Sequence, residues 1–333
     1  MKTSSKMLFF SMMIMSTIMI MNSSSWISMW AGLEINLMSF VPLISTPKNT
    51  YNSQSVVMYF LIQSLASMMF IMFILTNKYM FIYMDMDLIK TLVLITMMIK
   101  MGMPPFHLWF PEIMNKMKWT MCMILMTWQK IAPMYIMSLI ISLNKMLILV
   151  ICLSAITGAI GGMNQTSTRK IMAYSSINHM SWMISCAAMF KKSWIVYMTI
   201  YSIMMLLTSM MMYEYNIMFV NQMNIFLKSK MDKMIIIFLM LSIGGLPPFL
   251  GFIPKWIAIQ YMISTNEFIM LSIMTMSSLI TLSYYLRMSS TMNMSMSHSQ
   301  KWMYFFKTNK KTSTYLFSMN MMLPVSILLM NFY

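Results

Sequence analysis

Gly102-Met-Pro-Pro-Phe-His-Leu-Trp-Phe-Pro-Glu112 returns without a gap as Gly245-Leu-Pro-Pro-Phe-Leu-Gly-Phe-Ile-Pro-Lys255. The glycine, both inner prolines, the phenylalanine and the outer proline match. Each copy lies inside an apolar run of helix length. Paired prolines remove backbone donors and clash with the preceding turn, so the spacing predicts a helix break in each copy. Within a bilayer a broken helix persists only where protein or a water-filled cavity satisfies the freed carbonyls. Two breaks at matching places in two halves of a chain point to a transport site near the membrane midplane.

The composition fits that solvent. Hydrophobic residues make up 59% of 333 and charged residues 9%, with a mean hydropathy of +0.70. Roughly a quarter of a soluble domain is charged, so the chain reads as an all-α polytopic membrane protein. Lys and Arg number 23 against 7 acids, a formal charge of +16. These basic residues are scattered through short loops without a dense patch, which excludes nucleic acid as a partner and assigns them to topology and anionic lipid. Cys122, Cys152 and Cys186 fall in apolar segments without metal-ligand spacing. No cleavable signal peptide is expected, the first apolar run reading as a retained span. Met occurs 57 times, more than gap-filling in a core explains; a code that reads an AT-rich Ile codon as Met would explain it, pointing to a mitochondrial gene.

At about 20 apolar residues per span the sequence predicts about eleven transmembrane helices. They cover 7–22, 26–45, 56–76, 87–110, 120–142, 146–163, 170–190, 194–213, 234–264, 266–288 and 314–333. The fourth and ninth carry the breaks. The second break comes five spans after the first, so it is upside down relative to it, as in inverted-repeat transporters. Alternate loops divide the basic residues fifteen to five in favour of the N-terminal side, which places the N-terminus on the matrix or cytoplasmic face and the C-terminus opposite. The longer loops near 214–233 and 289–313 read as surface segments, leaving one transmembrane domain over 1–333.

Charges inside the spans are few. Glu34, in MWAGLEINLMSF, is the acid central to a span, and Lys100, Lys130 and Lys255 are the deep basic residues. Intramembrane ionisable groups cost several kcal/mol and mark ion or proton paths. Lys100 stands two residues before the first break, Lys130 three before Pro133, and Lys255 directly after Pro254. Each is therefore expected near freed backbone carbonyls. In the repeat register Lys100 faces Ile243 and Lys255 faces Glu112, so the scaffold is duplicated and the charges are not. His107, inside the first break, and His179, in SSINHMSW, are candidate relays because imidazole titrates near neutral pH. Lys90, near a span end, and His298, in a loop, have no expected role. GAIGGMNQ (158–165) lacks the ending of a phosphate loop, and no Cys/His cluster fits zinc or an iron–sulfur centre.

WAGLEINLMSF (30–40), KMGMPPFHLWFPE (100–112), TWQKIAP (127–133), GAIGGMNQTSTRKIMAYSSINHMSW (158–182) and GGLPPFLGFIPKW (244–256) together resemble the antiporter-like membrane-arm subunits of respiratory complex I, in their insect mitochondrial form. The likeness runs to about Arg287. Where the family usually has Ala-Pro this chain has Pro104-Pro105, and where it usually has Gly this chain has Ser181. The resemblance implies an antiporter-like fold of inverted five-helix repeats with two broken helices. It also implies a subunit of a proton-translocating NADH:ubiquinone oxidoreductase in the mitochondrial inner membrane, N-terminus in the matrix and C-terminus in the intermembrane space. By motif the family's proton-carrying residues fall on Glu34, Lys100, Lys130 and Lys255, while His107 and His179 stay relay candidates on their own chemistry. The expected partners are other complex I membrane-arm subunits, sister antiporter-like subunits among them, and phospholipids such as cardiolipin. NAD, FMN, iron–sulfur clusters and ubiquinone belong to other subunits, and this chain binds no cofactor or metal. A stand-alone monovalent cation/proton antiporter and a spacer subunit without a proton path are the alternatives.

Overall fold

The structure, a computed structural model, describes residues 3–45, 50–79, 86–141, 143–223, 230–247 and 249–297. The eleventh expected span, 314–333, and His298 lie outside the described residues. Among those residues the chain is helical, with one isolated bridge, Ser167 to Phe219, and no strand. Seven segments among the described residues are long and apolar enough to cross a membrane: Ser4–Asn22, Trp26–Ile44, Asn52–Thr76, Trp119–Ile140, Lys145–Met163, Ser193–Glu214 and Phe268–Met292. The expected spans at 87–110 and 234–264 are helical too, but each is cut into two short pieces by its break. The expected span at 170–190 is a full-length helix whose serines, Asn178 and His179 make it too polar to qualify by composition.

Contacts divide the chain into two compact units, Met1–Leu143 and Asn144–Tyr333. The first holds α1 (Thr3–Asn22), α2 (Trp26–Ile44), α3 (Thr50–Tyr79), α4 (Met86–Met101), α5 (Trp109–Lys116), α6 (Trp119–Met126) and α7 (Trp128–Ile140). Ser25 starts α2: its backbone is extended and its hydroxyl accepts the Ser28 N–H at 3.3 Å, satisfying one of the orphan donors of a first turn. Here α2 packs on α1 and α3, while α4 packs on α3 and α7. The second unit holds α8 (Lys145–Met163), α9 (Thr168–Met189), α10 (Ser193–Glu214), α11 (Lys230–Gly244), α12 (Phe252–Ser264) and α13 (Phe268–Ser297).

Within the second unit α9 is buried along almost its whole length, with α8, α10, α12 and α13 around it. A helix surrounded by protein can carry the polar side chains that lipid would reject. Its serines return their hydroxyls to their own helix: Ser175 donates to the Met172 carbonyl at 2.8 Å and Ser176 to Ala173 at 2.7 Å. Gly158 brings α8 close to α9, because a β-carbon there would meet the Asn178 nitrogen at 2.6 Å. Arg287, on α13, donates to the carbonyls of Met163, the last residue of α8, and of Gln165 just beyond it, where a cation is favoured by the helix dipole. Arg287→Leu is expected to cost about 1–3 kcal/mol, as charge-assisted hydrogen bonds do, read as a lower melting temperature of the detergent-purified protein.

The two breaks share a backbone construction that corrects the expected cause. Gly102 and Gly245 both adopt positive φ, 68° and 78°. Gly102 N–H bonds Ile99 O and Met103 N–H bonds Met98 O; Gly245 N–H bonds Ser242 O and Leu246 N–H bonds Leu241 O. This is the Schellman cap, which ends a helix with glycine in the left-handed region. The glycines therefore stop the helices, and the inner prolines follow the stop. The outer prolines, Pro111 and Pro254, fall in the first turns of α5 and α12, where a missing N–H leaves no intrahelical bond unmade.

Candidate functional site

The inner prolines act on carbonyls. In a continuous helix the Lys100 carbonyl would accept from residue 104 and the Gly244 carbonyl from residue 248, but both of those are proline in the sequence and offer no N–H. The first unit answers with Gln63 on α3, whose side-chain amide donates to Lys100 O at 2.9 Å. In the second unit the Lys255 ammonium donates to Gly244 O at 2.7 Å. Lys255 sits in the first turn of α12, where the dipole disfavours a cation, and reaches back to the C-terminal end of α11, where the dipole favours one. Gly245 makes room for that reach, since a β-carbon on it would lie 2.7 Å from Lys255 Cδ. Lys100 is in the last turn of α4, so both breaks hold a lysine at a helix C-terminus despite the different register.

All three expected lysines are buried, at 7% exposure for Lys100, 3% for Lys130 and 5% for Lys255. Lys90 is exposed. Lys100 and Lys130 line one small cavity with Asn36, Tyr59, Gln63 and Gln129 among its walls, wide enough for a water molecule. Lys130 Nζ also lies 5.1 Å from the Phe110 ring centre, within cation–π range. Glu34 is half-buried and within electrostatic reach of Lys100. On α2 the cavity wall is Leu33, Asn36 and Leu37, three and four residues apart. Glu34 stands one step round the helix from that stripe, and Asn36 is the polar group that α2 presents.

The helix carrying Lys130 is interrupted at Thr127, between α6 and α7. Pro133, the expected source of freed carbonyls, lies inside α7. It still leaves the Gln129 carbonyl without its usual donor four residues on.

His107 is half-buried in the first break and does not line this cavity; its Nδ1 has no hydrogen-bond partner among the described residues. His179 is buried, its Nδ1 3.0 Å from the Tyr197 hydroxyl and its ring 5.2 Å from that of Tyr201. It borders a second small cavity, with Tyr197, Tyr201, Ser242 and Pro254. One turn along α9, Trp182 faces Lys255, whose Nζ is 6.0 Å from a ring centre. Among the described residues no three His, Cys, Asp or Glu side chains group so as to hold a metal ion.

Sequence reasoning missed Asn36, Tyr59, Gln63 and Gln129. Their signal was present: amides inside apolar runs are costly unless bonded, and Asn36 and Gln129 stand in the same motifs as Glu34 and Lys130.

Comparison with known proteins gives a consistent picture. Residues 23–281 match the family model of the NADH:quinone oxidoreductase/Mrp antiporter transmembrane region. The chain is 40% identical to an NADH-ubiquinone oxidoreductase chain 2 of Locusta migratoria over 310 residues, 92% of this chain and 91% of that one. It is 40% identical to the chain 2 of Aedes aegypti over 336 residues, 99% and 98% of the two. Among solved structures, its fold matches a chain of respiratory complex I from Thermus thermophilus with a TM-score of 0.76 at 18% identity, covering 96% of this chain and 79% of that one. A chain of an archaeal membrane-bound sulfane sulfur reductase matches with a TM-score of 0.79 at 13% identity, covering 96% and 72%. With a family model over most of its length and relatives at this identity, the chain belongs to the NADH:quinone oxidoreductase/Mrp antiporter family of membrane proteins.

Proposed function

We propose that this chain is the proton-conducting, antiporter-like subunit of an NADH:ubiquinone oxidoreductase, in which quinone reduction by other subunits drives proton movement here. The observation that carries the reading is the pair of buried lysines, Lys100 and Lys130, on the wall of one cavity with Glu34 in electrostatic reach of the first. The relatives' names support the complex. In this proposal the chain forms one transmembrane domain of about eleven helices in the mitochondrial inner membrane, built from two inverted repeats. Its N-terminus faces the matrix and its C-terminus the intermembrane space. Other membrane-arm subunits and phospholipids such as cardiolipin surround it, and the cofactors reside in those other subunits.

Separation of Glu34 from Lys100 starts the transfer. At an effective dielectric of about 20, moving a charge pair from roughly 4 to 8 Å changes their interaction by about 2 kcal/mol, more than one pKa unit. Lys100 then gives up its proton toward Lys130, and Lys255 exchanges with the far side when its ammonium leaves the Gly244 carbonyl. His107 and His179 are relays in the same scheme. Lys100→Ala and Lys255→Ala are expected to assemble normally and to lower the number of protons moved per NADH oxidised, measured in sealed vesicles. An unchanged ratio in both variants would reject the roles.

A stand-alone cation/proton antiporter is the second reading, favoured by the Mrp antiporters within the matched family. It requires that the purified chain alone exchange cations for protons in liposomes.

A further inference from the structure

Three neutral side chains from three different helices, Asn36 and Tyr59 buried and Gln129 half-buried, meet on the cavity that Lys100 and Lys130 line. The Tyr59 hydroxyl, on α3, donates to Gln129 Oε1 at 3.3 Å. Gln129 Nε2, on α7, donates to Asn36 Oδ1, on α2, at 3.1 Å. Tyr59 is 3% exposed and Asn36 4%. Each costs free energy to place in an apolar core unless its polar atoms are bonded, and each could be apolar if packing were its purpose. Gln129 is next to Lys130 in the chain, and its backbone carbonyl faces Pro133, which offers no N–H. The chain of bonds uses one N–H of Gln129 and one lone pair of Asn36. The second Gln129 N–H, the Asn36 amide and the Tyr59 lone pairs can bind a water in the cavity they line.

We infer that Asn36, Gln129 and Tyr59 hold and orient the water through which Lys100 and Lys130 exchange a proton, with Gln129 as the positioning residue at its centre. The inference rests on the proton path proposed above. The Lys100 ammonium gives a proton to the water, which passes one of its own to the neutral Lys130 amine. Lys100 ends as the amine, Lys130 as the ammonium, and the water is restored. The amides and the hydroxyl gain and lose no proton. They fix the water's orientation, which in a site of this size decides whether donor and acceptor line up.

The test uses the intact complex carrying this chain, in vesicles, with Lys100→Ala as reference. Gln129→Met keeps the side chain's length and removes its hydrogen bonds. It is expected to assemble, to slow NADH-driven proton uptake about tenfold and to raise the solvent deuterium isotope effect. Gln129→Glu, which keeps an acceptor for Tyr59, is expected to recover most of the rate with an altered pH profile. If Gln129→Met keeps the normal rate and isotope effect while Lys100→Ala loses pumping, the water-holding role is wrong and the lysine path stands. If Lys100→Ala pumps normally, the path itself is wrong, whatever Gln129→Met does. Should Gln129→Met fail to assemble, Tyr59→Phe carries the test by deleting one oxygen: slower uptake with a raised isotope effect supports the role, and unchanged values overturn it.

Discussion

A chain carrying Gly251→Ala is expected to accumulate at a small fraction of the normal level, the largest effect anticipated for a single methyl group in this protein. Gly251 directly precedes α12, and a β-carbon there would fall 1.7 Å from the Ser242 carbonyl oxygen and 2.7 Å from its carbon. Both atoms are backbone of α11, so no rotamer change relieves the contact. The two half-helices would have to move apart, carrying Lys255 away from Gly244. Overpacking that forces backbone shifts costs about 1–3 kcal/mol or more, against a total stability of roughly 5–15 kcal/mol. The control is Gly244→Ala, whose new carbon would meet the flexible end of Leu282 at 3.2 Å and the Tyr285 ring at an ordinary 3.6 Å, with no backbone atom in the way. Protein levels on native gels should separate the two variants clearly. Equal levels would mean that α11 and α12 are not held this close.

Lys130→Met is expected to do the reverse, leaving the protein as stable as before while stopping most of its transport. Lys130 is 3% exposed, and its Nζ lies over the Phe110 ring beside the small cavity it shares with Lys100. Replacing a buried charge by an apolar side chain of similar length is often neutral or stabilising. A lysine kept only for packing would therefore be dispensable. Proton uptake should fall at least about tenfold, as loss of a positioned proton carrier does, with the melting temperature equal or higher. A drop in melting temperature with normal uptake would assign Lys130 to structure.

Much of this arrangement was legible in the sequence, for physical reasons that differ from residue to residue. The buried lysines could be found because charge in an apolar run has no neutral explanation. The breaks could be placed because Gly-x-Pro-Pro occurs twice in one register, but their cause was misread. Glycine in the left-handed region ends α4 and α11, and the prolines free the carbonyls that Gln63 and Lys255 then occupy. Glu34 was legible as a charge but not as a neighbour of the cavity wall, since the face a helix presents depends on what packs around it. Asn36, Gln129 and Gln63 escaped because a neutral amide reveals its role only through its partners, which come from helices distant in the chain. The interruption at Thr127 had no breaker residue to announce it, whereas Pro133, which looked like one, lies inside α7.

The most direct measurement is a density map of the chain in lipid, at a resolution that shows ordered water between Lys100 and Lys130. The expected result is a water within hydrogen-bond distance of the Gln129 side chain, linking the two lysines directly or through one further water. A cavity filled by apolar side chains or lipid, with dry packing between the two ammonium groups, would contradict proton transfer along this route.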